Sequence, residues 1–308
     1  TGTRNETDVR HLPMTISVVG RQQIEKRYEP SLLPLLTEQV PGLFTTSRGI
    51  MGYGVSTGAA GGMSLRGIGG SPTAGLLVLI DGHPQYMGLM GHPIADAYQS
   101  MMAEKVEVLR GPASVLYGIQ DPGGVVNIIT KKPQQTPRYV VGGTLGNHSL
   151  WGTQLDFTGG LGNGFAYRFI YDKQEKDYWR NFGKVKNTTY APSLSWENDK
   201  TKVLLSYEHK DILEPFDRGT NLLTATNSLP DIPVSRRLDE PNNKTTAKTD
   251  NIDFKIEHKL SDGWKLNAGY SYARYKYFYD QARITNINVT DVAIPAVKNK
   301  KGEITSPE

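Results

Sequence analysis

The sequence predicts a small α+β domain followed by antiparallel transmembrane β-barrel strands that make an incomplete barrel. Three observations carry that expectation. Composition shifts near Arg138: 20 of the 33 glycines lie in residues 1–137, and 22 of the 28 aromatic residues lie in 138–308. A glycine-rich half reads as turns and close backbone approaches; an aromatic-rich half reads as strands with interfacial rings. The second half also alternates apolar and polar residues. After the first hairpin, whose outer loop at 146–149 is short, its connections alternate between short and long, the pattern of an up-and-down barrel with short periplasmic turns and long outer loops.

Bulk properties narrow the class. The chain has 308 residues, a formal net charge of +4 and a sequence pI of about 9.0. No Lys/Arg block is long enough to track a phosphate backbone, so charge does not point to nucleic acid. There is no cysteine, which excludes disulfides, thiolate zinc sites and cysteine nucleophiles. No apolar run approaches the roughly 20 residues of a membrane-crossing helix. The best run, 76–80, has strand length, and barrel strands need no continuous hydropathy because lipid-facing and lumen-facing residues alternate. No signal peptide is visible, and the start at Thr1 is read as a processed or cut end.

The first half divides into short elements. Residues 15–19 read as a strand and 22–27 as a helix. Ser31 is placed to N-cap a second helix running to Gln39, with Pro34 tolerated in its first turn and Pro41-Gly42 stopping it. Strands are expected at 63–66, 75–80, 106–109 and 125–130, with a tight turn at Asp81-Gly82.

Seven strands are expected in the second half: 138–146, 149–159, 164–174, 188–197, 201–211, 249–260 and 264–279. Ile252, Phe254, Ile256 and Leu260 share a face opposite Asp253, Lys255, Glu257 and Lys259. Trp264, Leu266, Ala268, Tyr270 and Tyr272 oppose Lys265, Asn267, Gly269 and Ser271. Each run is close to the roughly 9–11 residues that a tilted strand needs to cross a bilayer. Short turns fall at Gly162-Asn163-Gly164, Asn198-Asp199-Lys200 and Ser261-Asp262-Gly263. Long connections are expected at 175–187, 212–248 and from 281 onward.

Several stretches, taken together and in order, resemble a known family. They are Thr15 to Val19 with Gln22, Gln23 and Ile24; Leu35-Leu36 leading to Val40-Pro41-Gly42; Leu65-Arg66-Gly67; and Val78-Leu79-Ile80-Asp81-Gly82. Residues 106–118 and Gly123-Gly124-Val125-Val126-Asn127-Ile128-Ile129-Thr130 complete the series. In order and spacing these resemble the plug domain of TonB-dependent outer-membrane receptors of the ferric-siderophore type, over about residues 13–133. The resemblance implies an N-terminal segment (1–12), a plug (13–135) and the first strands of a barrel (136–308). It also implies a place in the outer membrane of a Gram-negative bacterium, a TonB-type energy-transducing partner, contact with outer-membrane lipid, and a ferric chelate as ligand. No cofactor, nucleic acid or enzymatic step is implied. The TonB box expected ahead of a plug is not evident in 1–10.

An arginine beside an apolar strand needs a partner. By resemblance, Arg66 and Arg110 would pair with acidic groups on the barrel wall and anchor the plug. The plug apices would meet the ligand, and two glycine-rich loops qualify, 47–62 and 83–93. In them Arg48, Tyr53 and Tyr86 are candidates to pair with or stack on an anionic, aromatic ferric chelate, and Met87 and Met90 to give apolar contacts. Arg218, Arg236 and Arg237 in the long outer loop are placed to steer anionic chelates by charge. His83 and His92 do not form a recognised zinc spacing.

Alternatives stay open at this level. The stretch LVLIDGHP looks more like receptors for haem, cobalamin or other preformed nutrients, whereas LYGIQDPGGVVNIITKKP looks more like ferric-siderophore receptors. A non-transporting β-rich binding module is a second alternative. No nucleophile–base spacing, phosphate loop or metal-ligand set supports an enzyme. Because barrels of this family close at about 22 strands and open edges are not tolerated in lipid, seven strands point to a piece of a longer protein.

Overall fold

The computed structural model of the chain describes residues 15–27, 31–45, 63–70, 76–85, 99–111, 123–217, 219–280, 282, 287, 297–298 and 304–305. The first part is a mixed sheet with two short helices. Strand β1 (Thr15–Gly20) leads into helix α1 (Arg21–Arg27), and α2 (Leu33–Gln39) follows. Then come β2 (Leu43–Thr45), β3 (Met63–Leu65), β4 (Ile68–Gly70), β5 (Leu76–Ile80), β6 (His83–Pro84), β7 (Ala103–Arg110) and β8 (Gly124–Thr130). The main sheet has the order β1-β7-β8-β5-β6, with β5 and β8 parallel and the other pairs antiparallel. Strands β2-β3-β4 form a separate small meander.

Local chemistry explains the elements. Helix α1 starts where the Gln23 side chain reaches back to accept from the Gly20 N–H at 2.9 Å, half of a capping box. It begins one residue earlier than expected. Ser31 does not take the N-cap position of α2. That position is Leu32, which has no side-chain cap bond. Ser31 is held in a β-bridge to Gln99 and accepts from the Leu33 N–H at 3.3 Å instead. The small meander turns through Arg66 (φ 54°) and Gly67 (φ 81°), and the β5–β6 hairpin through Asp81 (φ 50°) and Gly82 (φ 86°). Both are two-residue hairpin turns with left-handed central residues.

The larger of two apolar clusters in this part lies under the helices, and Leu77, Leu79, Leu109 and Val125 form the other. Leu32, Leu33, Leu36, Met63, Leu65, Leu76, Val78, Val106, Val108, Val126 and Ile128 pack between α2 and the sheet, each essentially buried. Gly124 is required there: at φ +141° a Cβ would sit 2.2 Å from the Leu109 carbonyl oxygen.

Residues 131–137 lead to a second, seven-stranded antiparallel sheet in simple sequence order. Its strands are β9 (Arg138–Gly146), β10 (Leu150–Gly162), β11 (Phe165–Asp177), β12 (Lys184–Glu197), β13 (Thr201–Pro215), β14 (Lys244–Ser261) and β15 (Trp264–Asp280). A small pair, β16 (Val297–Lys298) and β17 (Ile304–Thr305), lies beyond them. All seven expected strands are present, and the three short turns fall where expected. At the long-loop end β11 to β14 run further than their alternation indicated, because they continue as polar ladders.

The two faces of this sheet differ. Tyr167, Leu194, Leu205, Phe254 and Tyr270 are successive cross-strand partners and so share one face. Phe165, Trp196, Val203, Ile256 and Ala268 make a parallel row nearer the short turns. Leu205 and Tyr270 remain 50% and 63% exposed, as a lipid-facing surface requires. The opposite parity carries Asp156, Arg168, Asp172, Glu208 and Lys210, all buried. A sheet with apolar residues outside and charges inside is a membrane barrel wall. Among the described residues the sheet is not closed.

Candidate functional site

The charged inner face of the wall meets the first part of the chain, and their contact is the site. Its centre is Asp156 on β10. Arg168 on β11 is a diagonal neighbour and forks onto the carboxylate, Nε to Oδ1 at 2.8 Å and Nη2 to Oδ2 at 2.7 Å. Lys131, just after β8, adds its Nζ at 3.1 Å. Arg21 at the start of α1 and Arg138 on β9 approach the same oxygen at 3.7 and 3.8 Å. Glu25 on α1 balances the excess of positive charge, lying 2.8 Å from Arg21, 3.8 Å from Lys131 and 3.4 Å from Arg138. One wall carboxylate thus gathers cations from the helix, the connector and the wall. Burial pushes the Lys131 ammonium below its ordinary pKa even though Asp156 opposes the shift.

A second contact is built on the Asp81-Gly82 turn. Asp81 accepts from the Thr130 N–H at 3.1 Å, from Thr130 Oγ1 at 2.6 Å and from Lys132 Nζ at 2.6 Å. Its carbonyl accepts from Lys255 of β14 at 3.3 Å. Burial alone would raise the Asp81 pKa. The Lys132 and Lys255 charges and the hydrogen bonds outweigh it and hold the carboxyl below its ordinary value.

Further polar contacts follow the wall. Thr189 Oγ1 donates to Gln99 Oε1 at 2.8 Å, Tyr275 OH to Gln85 Oε1 at 3.0 Å, and the Gln134 N–H to Thr158 Oγ1 at 2.9 Å. A cavity of about 40 Å³ lies between the two parts, lined among others by Asp81, Lys132, Ser206, Glu208 and Asn251. Ile80, Met102 and Ile170 also line it, so its wall mixes polar and apolar groups, and it is large enough for water. The seam is therefore held by hydrogen bonds and ion pairs, unlike the apolar core beside it.

Sequence reasoning missed Asp156, Lys131, Lys132 and Arg168. For Asp156 and Arg168 the one signal was charge at the inward parity of strands whose outward parity is apolar; Lys131 and Lys132 lie on the connector between β8 and β9, where no periodicity marks them. Arg66 is exposed and serves the β3–β4 turn, its stem lying over Gly42. Arg110 is partly buried in β7, and its Nε lacks a hydrogen-bond partner. The seven strands place no carboxylate against either one among the described residues. Arg237 does not fit the steering expectation: it is 3% exposed and paired with Asp239. Arg236 is exposed. Arg48, Tyr53, Tyr86, Met87, Met90, His92 and Arg218 lie outside the described residues, as does 1–14, and no group of metal-ligating side chains occurs among the described ones.

Residues 8–125 match the family model of the TonB-dependent receptor plug domain. Over that region, less than half of the chain, the sequence is similar to the plug domains of TonB-dependent receptors. The metal-pseudopaline receptor CntO of Pseudomonas aeruginosa is 32% identical over 181 residues, covering 58% of this chain and 25% of that protein. The ferrichrome outer membrane transporter/phage receptor of Escherichia coli K12 is 24% identical over 287 residues, covering 90% of this chain and 36% of that protein. Among solved structures, the pyoverdine-bound FpvA of P. aeruginosa superposes with a TM-score of 0.80 at 19% identity, covering 96% of this chain and 38% of that one. This likeness shows the fold. The chain spans about a quarter to a third of the length of these curated relatives. The α+β part is a plug, and the seven-stranded sheet is outer-membrane barrel wall.

Proposed function

We propose that the chain forms the plug and opening wall of an importer of ferric siderophores. The ligand binds at the plug apices and outer loops, and a TonB-type partner moves the plug. The observation that carries this reading is the contrast between the plug core and the plug–wall seam. The core is dry and apolar. The seam is made of hydrogen bonds and ion pairs beside a small cavity of mixed lining; water can replace an ordinary hydrogen bond there at a net cost of about 0.5–1.5 kcal/mol, while the buried Lys131–Asp156 pair holds more firmly. A plug built that way can stay folded while its contacts to the wall are exchanged.

The relatives named for ferrichrome, ferrioxamine and metal-pseudopaline favour a chelated metal as cargo. In this reading the plug spans 13–135. Arg48, Tyr53, Tyr86, Met87 and Met90 face the ligand, and Arg66 and Arg110 meet carboxylates on wall beyond the seven strands. Tryptophan fluorescence of the full-length protein, titrated with ferric ferrichrome, ferric ferrioxamine B, haem and cobalamin, tests the ligand class. Saturable quenching by a ferric siderophore is expected. Quenching by haem or cobalamin alone, or by none of the four, overturns the siderophore assignment.

A further inference from the structure

A connection as long as 216–243, without regular structure, is ordinarily a mobile loop. Here it is fastened to the neighbouring outer loop, 178–183, by two arginines reaching in opposite directions. Arg180 of the shorter loop places Nη1 at 3.0 and 3.1 Å from the two oxygens of Asp217, and both side chains are at most 5% exposed. Its Nη2 donates to Thr220 Oγ1 at 3.3 Å and to the Arg236 carbonyl. Arg237 of the longer loop donates to the carbonyls of Phe182 at 3.1 Å and Phe216 at 3.4 Å, and forks onto Asp239 at 2.8 and 2.5 Å. Its guanidinium lies 4.4 Å from the Phe182 ring centre.

The backbones join as well. The Asn181 N–H donates to the Ser235 carbonyl at 2.9 Å, and the Arg237 N–H to Asn181 Oδ1 at 3.0 Å. Tyr178 OH donates to Asp217 Oδ2 at 2.9 Å. The next outer segment is attached too: Asn243 and Ala282 exchange hydrogen bonds at 3.0 and 2.8 Å, and the Thr224 N–H donates to the Ile287 carbonyl at 3.0 Å.

We propose that loops 178–183 and 216–243 form one preformed clasp, present before any ligand arrives, rather than a lid that orders over it. Buried guanidinium groups are tolerated only with their partners in place, so the two loops open together or not at all. The clasp also decides what this wall offers to the outside. Its two buried arginines are engaged in holding it, and the crest 221–235 carries a single charged side chain, Asp231. The crest presents amide, hydroxyl and apolar groups, with Leu229 and Val234 largely exposed.

Hydrogen exchange of the full-length, ligand-free receptor tests this without knowledge of the ligand or of transport. The amides of Asn181 and Arg237 are expected to exchange at least about a hundredfold more slowly than the exposed Thr226 amide. In Asp217→Asn, protection is expected to fall at both amides, including Arg237 on the far side of the loop, while strands β13 and β14 keep theirs. Fast exchange at both amides in the unliganded wild type overturns the proposal, and that measurement needs no variant. A loss in Asp217→Asn confined to residues near 217 overturns it as well.

Discussion

Lys131, on the connector leaving the last plug strand, donates to Asp156 on the inner face of the wall at 3.1 Å, and neither side chain is more than 4% exposed. Arg168 already satisfies that carboxylate from the wall side, so Asp156 serves the wall and the plug at once. Removing it leaves buried cations without a counter-charge. Asp156→Asn is expected to cost about 3–5 kcal/mol, the usual result of breaking a buried pair. Lys131→Met, which leaves the Asp156–Arg168 fork intact, is expected to cost less. Denaturant unfolding of the plug in the full-length receptor measures both.

The clamp on the Asp81 turn gives a dependence on pH. The folded Asp81 pKa lies below the ordinary value of 3.8. Its stabilisation is therefore present in full above the unfolded pKa, and is lost as pH falls through the folded one. The wild-type plug is expected to become easier to unfold below about pH 4, and Asp81→Asn to lose part of that acid sensitivity. Urea midpoints between pH 3 and pH 7 check it.

Gly124 tests the backbone packing. A Cβ there meets the Leu109 carbonyl, and the positive φ is strained for any side chain. Gly124→Ala is expected to cost at least about 1–3 kcal/mol and to expose the plug to protease, whereas Gly20→Ala, where a Cβ would meet nothing, should leave digestion unchanged.

The two faces of the wall make opposite expectations. Leu205→Arg, on the lipid side, is expected to cost about 2–4 kcal/mol for folding into bilayers if it lies near the midplane. Ser206→Arg points inward toward the cavity and is expected to leave insertion intact while disturbing plug contacts. Folding yields in vesicles separate the two.

Much of the fold was legible in the sequence. The barrel strands declared themselves because residues such as Phe254 and Asp253, or Tyr270 and Ser271, belong to opposite environments, and turns such as Gly162-Asn163-Gly164 separate them. Strand ends at the outer side were read too short. Lys184–Asn187 and Lys244–Lys248 pair as strands although no apolar alternation marks them, since the face that Thr245 and Ala247 bury carries a hydroxyl and a methyl and not large apolar groups. Strands β2, β4 and β6 escaped because two or three residues cannot show a period. The seam was the least legible part. Asp156 and Lys131 are ordinary charged residues 25 positions apart, and only the fold brings them together. The loop arginines misled for a related reason: a charge in a long loop reads as solvated, and Arg237 is instead folded in.

We propose that the plug belongs to an energised importer of ferric siderophores. Accumulation of radiolabelled iron from ferric ferrichrome and ferric ferrioxamine B, by cells carrying the full-length receptor with and without a TonB-type partner, tests it most directly. Uptake from at least one chelate that collapses when the partner is removed is the expected result. No uptake from either chelate by receptor present in the outer membrane, or uptake unchanged without the partner, would contradict it.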